Sequence, residues 1–513
     1  MTTASRPGYP RPDAGPLKKV GVTVVSLASV LVGKLLVAVG LRKAPEGWRR
    51  TIGVLLRSEP TKFALSAFGV RIPGTADAGR TAGARIADGL LAFFASEPDA
   101  HFRLEWTRWV TTRHRTPAVD VALLRFSAAG DLEAIEPRFA PSRPEALDVA
   151  RRDEVHRAVV GAYNGTRTLP EVRRPTALAE AVTAALPSAA AVEYAWRLLR
   201  SISVSVETIN CAAPHERFCP PRFRARRPLG FGYLSVVARP DREGRTADVW
   251  FSAHHVGLDG VPLQDLVTRF ERAWGVAEPA VFPDAGTGAP FAGPEVCSAP
   301  GERTVHHLVA FVDFSPVMAL RTHLNARHGA AIGGEMTFGA LLAWLLNREP
   351  EFAGVRVAST VDVAASGGYE RDVDVVPLRP ADFARGDDPW GGLVEYAREF
   401  NRLLALSRAR TSPLRQGMQT AGLLPAWAHA AAVRANPGAL DDTFGSLCIT
   451  IVKEGKVFVS PMTDLGLGHG FFAIGSTNLP TADGRRVASV SIKGDAGVVD
   501  GYPAILKRVV DRC

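Results

Sequence analysis

Residues Arg245–Trp274, RTADVWFSAHHVGLDGVPLQDLVTRFERAW, decide how the rest of the chain is read. Thr246 to Ala253 has the composition of a buried strand, and it runs directly into His254-His255. Val256-Gly257-Leu258 and Asp259-Gly260 then turn the chain. Leu263, Leu266, Val267, Phe270 and Trp274 recur at helical spacing, and Pro262 falls in the first turn, where its missing N–H costs nothing. A histidine at a strand end, on a loop held by a nearby Asp-Gly, is suitably placed for a general base. The sheet fixes it and the loop exposes it.

The pattern returns at the C-terminus. Arg486–Val510, RVASVSIKGDAGVVDGYPAILKRVV, aligns with the first copy without a gap, placing Asp500-Gly501 on Asp259-Gly260 and Pro503 on Pro262. His255 falls on Ala496, so the second copy keeps the scaffold and lacks the base. A duplication of this kind predicts two similar lobes and one working histidine.

The 513 residues suffice for two or more domains, and the net charge of +9 would suit an anionic partner: CoA phosphates, an acidic carrier protein or anionic lipid. Nucleic acid is disfavoured, because no basic ribbon interleaved with aromatics and no zinc-finger spacing is present. The five cysteines (Cys211, Cys219, Cys297, Cys448, Cys513) include no CxxC pair and read as free thiols in a reducing compartment, with no metal site. His306-His307 and His469 have no carboxylate or cysteine at ligand spacing and read as ordinary strand or loop histidines.

Along the chain, residues 1–16 are Pro- and Gly-rich and predict a tail without fixed structure. Residues 17–45 hold a Val/Leu-rich run, 20–41, between Lys18-Lys19 and Arg42-Lys43. Thr23, Ser26, Ser29, Gly33 and Lys34 gather on one side of that helix, which favours lying on a membrane surface or packing against protein over spanning. Residues 46–275 form the first lobe, 276–303 a Pro/Gly/Ala-rich linker, and 304–513 the second lobe. Strands are expected at Phe102–Val110, Ala118–Phe126, Ser201–Ile209 and Leu229–Ala238, with helices at Arg80–Ser96 and Ala179–Leu199. The basic loop Arg217–Arg227 reads as solvated, with phosphate contact as the alternative. In the second lobe, strands are expected at Leu308–Phe314, Val355–Val363, Val373–Leu378, Gly445–Lys453, Lys456–Ser460 and Phe471–Ser476. Its helices are expected at Ser315–Arg327, Thr337–Asn347 and Trp390–Arg408, and Glu349-Pro350-Glu351 stands where the first lobe has Glu97-Pro98-Asp99.

His254-His255-x-x-x-Asp259-Gly260 after a strand and before a helix resembles the HHxxxDG signature of the chloramphenicol acetyltransferase-like superfamily, which includes E2 acyltransferase and condensation domains. Met336–Val357, Trp48-Arg49-Arg50 and Asp442-Thr443-Phe444-Gly445-Ser446 extend the likeness over roughly residues 48 to 513. The resemblance implies an α/β fold (an α+β two-layer sandwich) with two lobes in tandem as a monomeric pseudo-dimer, and the active site in a tunnel between them. It further implies His255 as general base in acyl transfer from acyl-CoA or acyl-pantetheine to a hydroxyl or amine acceptor. Ser446 would donate to the oxyanion from the opposite lobe, a contribution of about 3 kcal/mol, with Thr443 and Thr450 as rivals. Asp259 would be architectural, paired with Arg49 or Arg50; His254 would pack and Gly260 would belong to the scaffold. Neither a lipoyl-type turn nor an adenylation or carrier domain is present, so a stand-alone cytoplasmic acyltransferase with possible membrane association is expected, with no bound cofactor. A condensation-type enzyme acting on carrier-bound groups, and a non-catalytic acyl- or membrane-binding protein of the same fold, are the alternatives.

Overall fold

The computed structural model describes residues 28, 30–39, 60–71, 78–107, 110–143, 147–169, 174–207, 229–240, 246–258, 260–275, 291–296, 305–363, 369, 372–386, 388, 390–435, 445–451, 457–458, 469–475, 479–480 and 486–513. Asp259, Arg49, Arg50, Thr443 and the Arg217–Arg227 loop lie outside the described residues, as does the tail 1–16.

Two sheets built on one plan organise the chain. The first draws on β1 (Pro60–Arg71), β4 (Val121–Phe126), β5 (Leu132–Arg138), β6 (Ile202–Val206), β7 (Leu234–Pro240) and β8 (Thr246–His254). A separate hairpin, β2 (Phe102–Trp106) and β3 (Thr111–Arg115), stands outside it. The second sheet draws on β9 (Phe291–Val296), β10 (Val305–Val312), β11 (Val357–Val363), β12 (Asp372–Leu378), β13 (Leu447–Ile451), β15 (Gly470–Ile474), β16 (Leu479–Pro480) and β17 (Arg486–Asp495). β14 (Val457–Phe458) comes from the second half of the sequence yet completes the first sheet, pairing Phe63 with Phe458 beyond β1. The orders are β14-β1-β8-β7-β6-β4-β5 and β9-β10-β17-β15-β13-β11-β12, with β16 paired to β17.

Residue registers repeat between the sheets. Ala122 lies opposite Pro137 on one side and Ser203 on the other; Ala358 lies opposite Pro377 and Cys448. Ser203 then pairs with Ser235 as Cys448 pairs with Phe471. At the motif ends, Pro60 faces His254 and Val305 faces Asp495. His254 and Asp495 are the very residues that the ungapped alignment superposes. The strand pairings thus repeat at the positions where the two stretches align.

Helices cover these sheets: α1 (Ala78–Ser96), α2 (Val149–Gly165), α3 (Arg174–Ala185), α4 (Ala189–Arg200) and α5 (Gly260–Trp274) in the first half. The second half has α6 (Ser315–Ile332), α7 (Phe338–Leu346), α8 (Leu393–Arg408), α9 (Pro413–Gly422), α10 (Ala426–Ala435), α11 (Ala496–Val499) and α12 (Tyr502–Asp511). Period-two alternation decides which side of the second sheet faces what. Val357, Leu447, Ile449, Phe472 and Ile474 are buried with residues of α6, α7, α8 and α12. The intervening Ala358, Cys448, Phe471 and Ala473, with Tyr369 and Val375, instead join the apolar interior of the first lobe. The two halves thus share one continuous core at their junction.

Several expectations need correction. The single strand expected at Phe102–Val110 is a hairpin, because Thr107 and Val110 close a turn through Thr107 N–H to Val110 O at 2.9 Å and Val110 N–H to Thr107 Oγ1 at 3.0 Å. The helix expected at Ala179–Leu199 is broken at Ser188, whose hydroxyl accepts from Ala191 N–H and starts a new helix. The 276–303 stretch contains β9, which pairs with β10. Residues 30–38 are helical, and Gly33 is packed so closely on Leu423 that an added Cβ would lie 3.0 Å from the leucine Cβ. Leu31, Val32, Leu35 and Val39 remain more than half exposed. Among the described residues no helix is long and apolar enough to cross a membrane.

Candidate active site

The motif turn is assembled from its backbone outward. β8 ends at His254, whose N–H donates to Tyr233 O at 2.9 Å. His254 O then accepts from both Gly257 N–H (2.8 Å) and Leu258 N–H (3.0 Å), which folds residues 255–257 into a tight turn ahead of α5. His254 Nδ1 accepts from Val256 N–H at 3.1 Å, so the ring caps the turn that it begins. Gly257 is pressed onto Tyr233; an added Cβ would lie 2.7 Å from the tyrosine Cβ. Only glycine fits there.

A brace from outside the motif completes the turn. Arg113 on β3 donates from Nη1 to Gly257 O at 3.0 Å, and its guanidinium lies 4.1 Å from the centroid of the Phe102 ring on β2. Trp106, at the end of β2, meets the His254 ring edge-on at 5.1 Å. Tyr233 donates to Ala100 O at 2.6 Å, and burial holds its phenol well above the ordinary range. The β2–β3 hairpin therefore holds both the first histidine and the loop carbonyl. Sequence reading missed Arg113, Trp106 and Tyr233, because no local spacing links them to the motif; Arg113 and Gly257 are 144 positions apart.

The two histidines differ in surroundings. His254 is 4% exposed, its Nε2 has no hydrogen-bond partner among the described residues, and burial lowers its pKa to about 3. Burial therefore holds the His254 ring neutral well below the ordinary histidine range. His255 is also buried, at 7% exposure, and is followed by Val256 and Leu258 in the apolar interior that Tyr369, Cys448 and Phe471 of the second half enter. Gly260 is buried as the first residue of α5.

Ser446 is half-buried immediately before β13, with its N–H donating to Arg356 O at 3.0 Å and its carbonyl accepting from His469 N–H at 2.8 Å. Gly445 beside it has φ of +66°, and an added Cβ would lie 2.4 Å from Arg356 O, so this crossing accepts glycine alone. Thr450 stands at the other end of β13, on the strand face of Cys448, where Thr360 donates to it at 3.2 Å. The described contacts bring neither hydroxyl into a hydrogen bond with His255.

Around the motif, a matched pair of ion clusters joins the Glu-Pro breaks to the helices that follow each motif copy. Arg269 on α5 donates to Glu97 Oε2 at 3.1 Å, while Arg508 on α12 donates to Glu349 Oε2 at 3.1 Å and Arg512 to Glu349 Oε1 at 2.5 Å. In the first lobe the cluster also reaches across the junction: Tyr369 donates to Glu97 Oε2 at 3.2 Å. Burial first, then the Glu97 charge, holds the Tyr369 hydroxyl protonated far above the ordinary tyrosine range.

No protein-family profile and no curated protein matches the sequence. Among solved structures, the chain is similar to the trichothecene 15-O-acetyltransferase TRI3 of Fusarium sporotrichioides, at 10% identity and TM-score 0.46, covering 91% of this chain and 94% of that one. It is also similar to F. sporotrichioides TRI101, crystallised with coenzyme A and T-2, at 10% identity and TM-score 0.45, covering 89% and 96%. A third is the starter condensation domain of rhizomide synthetase RzmA in complex with C8-CoA and Leu-SNAC, at 10% identity and TM-score 0.42, covering 91% and 92%.

Proposed function

We propose that this chain is an acyltransferase that moves an acyl group from a CoA or carrier-pantetheine thioester to a hydroxyl or amine acceptor. The imidazole of His255 takes the acceptor proton as the new acyl–O or acyl–N bond forms. The carbon–sulfur bond then breaks, and the imidazolium returns its proton to the leaving thiolate. The observation carrying this reading is the position of His255. It follows the strand end in the only motif copy that has a histidine, on a turn braced from both sides, at a core shared by both halves. A neutral His254 with a pKa near 3 leaves the proton-transfer role to its neighbour.

The oxyanion donor in this proposal is Ser446, with Thr450 as its rival. Asp259 keeps the architectural role that the motif gives it. Acyl-CoA or acyl-pantetheine is the co-substrate, and no resident cofactor takes part.

The decisive experiment is His255→Ala with thioester turnover followed by mass spectrometry of the products. A loss of about 1,000-fold in a variant that melts with the native protein is expected. Undiminished turnover would sink the catalytic assignment, and absence of turnover in both proteins would favour a binding role. Free acyl-CoA against carrier-loaded donors separates a CoA-dependent enzyme from a condensation-type one. Ser446→Ala and Thr450→Val, compared side by side, assign the oxyanion donor by which loses about 100-fold in kcat.

A further inference from the structure

A cavity lined in part by Phe102 lies outside the motif turn, none of whose residues line it. It encloses about 190 Å³ between the start of β2, the 116–120 loop and the C-terminal end of α4, with Arg103, Arg143, Arg197 and Arg200 around it. One pair in its wall is neutral: Arg197 holds Asp120 through Nε to Oδ2 and Nη2 to Oδ1, both at 3.0 Å, with the two side chains 9% and 5% exposed. Asp120 Oδ1 also accepts Ala140 N–H at 2.8 Å, and the single charge of this carboxylate is already matched by Arg197.

The remaining cations are under-compensated. Arg103 donates from Nη2 to Glu105, which also meets His114, but its buried Nε has no acceptor among the described residues. Arg200 lies over the Trp196 ring at 4.8 Å, and neither it nor Arg143 is within ion-pair distance of a described carboxylate. Burial, then Arg103, then Arg143 lower the proton affinity of Arg200, with Glu105 acting in the opposite sense. Guanidinium groups gathered around one partly open cavity match the oxygen edges of a phosphate. At about 30 Å³ per water, the space holds about six water-sized volumes, enough for one phosphate group and too little for a whole nucleotide.

We propose that this cavity binds a phosphate dianion, free or as the terminal group of a larger ester, through Arg103, Arg143 and Arg200. None of the motif-turn residues lines it, so the site is separate from acyl transfer and does not depend on that proposal.

Isothermal titration of the full chain with inorganic phosphate, at constant ionic strength set by chloride, tests it directly. Saturable binding is expected, weakened at least ten-fold in Arg200→Gln and in Arg143→Gln, and unchanged in Arg151→Gln on the exposed face of α2. Neither substitution touches the Arg197–Asp120 pair, and far-UV circular dichroism checks that each variant is folded. A parallel titration with 3′,5′-ADP identifies the source: tighter binding than inorganic phosphate points to a phosphoester, equal binding to the free ion. No saturable binding of either probe, or equal affinity in both cavity variants and the native protein, would overturn the proposal.

Discussion

The two copies of the motif end the same strand in opposite ways. After β8 the chain makes a tight turn, with His254 capping it and Arg113 holding the Gly257 carbonyl. After β17 it coils at once into α11, and Gly494 lies so near Val499 that an added Cβ would approach a valine methyl to 2.6 Å. The first copy has a brace, the β2–β3 hairpin, between the Glu97-Pro98 break and β4. The second half passes from Pro350–Phe352 to β11 with no hairpin between them. The comparison teaches that the histidine is one part of a larger device. The first half sets its histidine on a turn that the neighbouring ring caps and an outside guanidinium holds; between Pro350–Phe352 and β11 the second half has no hairpin that could supply such a guanidinium.

Four measurements can break or sharpen that comparison. The largest effect concerns acid. His254 keeps a folded pKa near 3 against an ordinary value of 6.5, so below pH 6.5 the unfolded chain binds a proton that the native chain refuses. Stability is therefore complete above pH 6.5 and falls as pH drops towards 3, by up to about 1.4 kcal/mol per pH unit from this group. Urea midpoints measured from pH 7 to pH 4 should show a shallower acid limb in His254→Asn than in the native protein. Parallel limbs would mean that the histidine is not shielded as described.

Next comes Arg113→Leu, which leaves the Gly257 carbonyl without its donor. A loss of about 1–3 kcal/mol in stability is expected, together with about a 100-fold loss of kcat through a displaced turn. Arg113→Lys should restore part of the rate, and a rate that ignores both changes would show the brace to be irrelevant to turnover. A smaller effect is expected from Tyr369→Phe, which removes the hydroxyl reaching Glu97 across the junction; denaturant unfolding should register about 0.5–1.5 kcal/mol. The smallest is a predicted zero. Ala496→His combined with His255→Ala should restore no transfer, because a ring set into α11 lacks both cap and brace; recovered product would refute the contrast drawn between the halves.

The strand, turn and helix at residues 246–274 and the similar strand at residues 486–495 were legible because register and periodicity are written along the chain. Aligning Asp500 on Asp259 also aligned Asp495 on His254, and the strand pairings repeat that correspondence. The hairpin was hidden because its turn, Thr107 to Val110, contains no Gly, Pro, Asn or Asp to mark it, and a threonine hydroxyl closes it instead. α2 was passed over because its apolar stripe is only Val155, Val159 and Tyr163 in an otherwise charged stretch. The Arg113–Gly257 and Tyr369–Glu97 bonds join residues far apart in sequence, and no local pattern encodes such a meeting. The 20–41 run was read as a surface-lying or docked helix; its described part rests on Leu423 while keeping four large aliphatic side chains in solvent.

The placement of β14 bears on how the molecule is made. A ribosome releases β1 early, but the strand that borders it emerges only after five of the second sheet's eight strands, β9 to β13, have been synthesised. Until then the leading half carries a bare backbone edge, open to any other extended segment nearby. Closing that edge is a late event, and it ties the two halves into a single piece that cannot be divided between two genes without leaving one product unfinished.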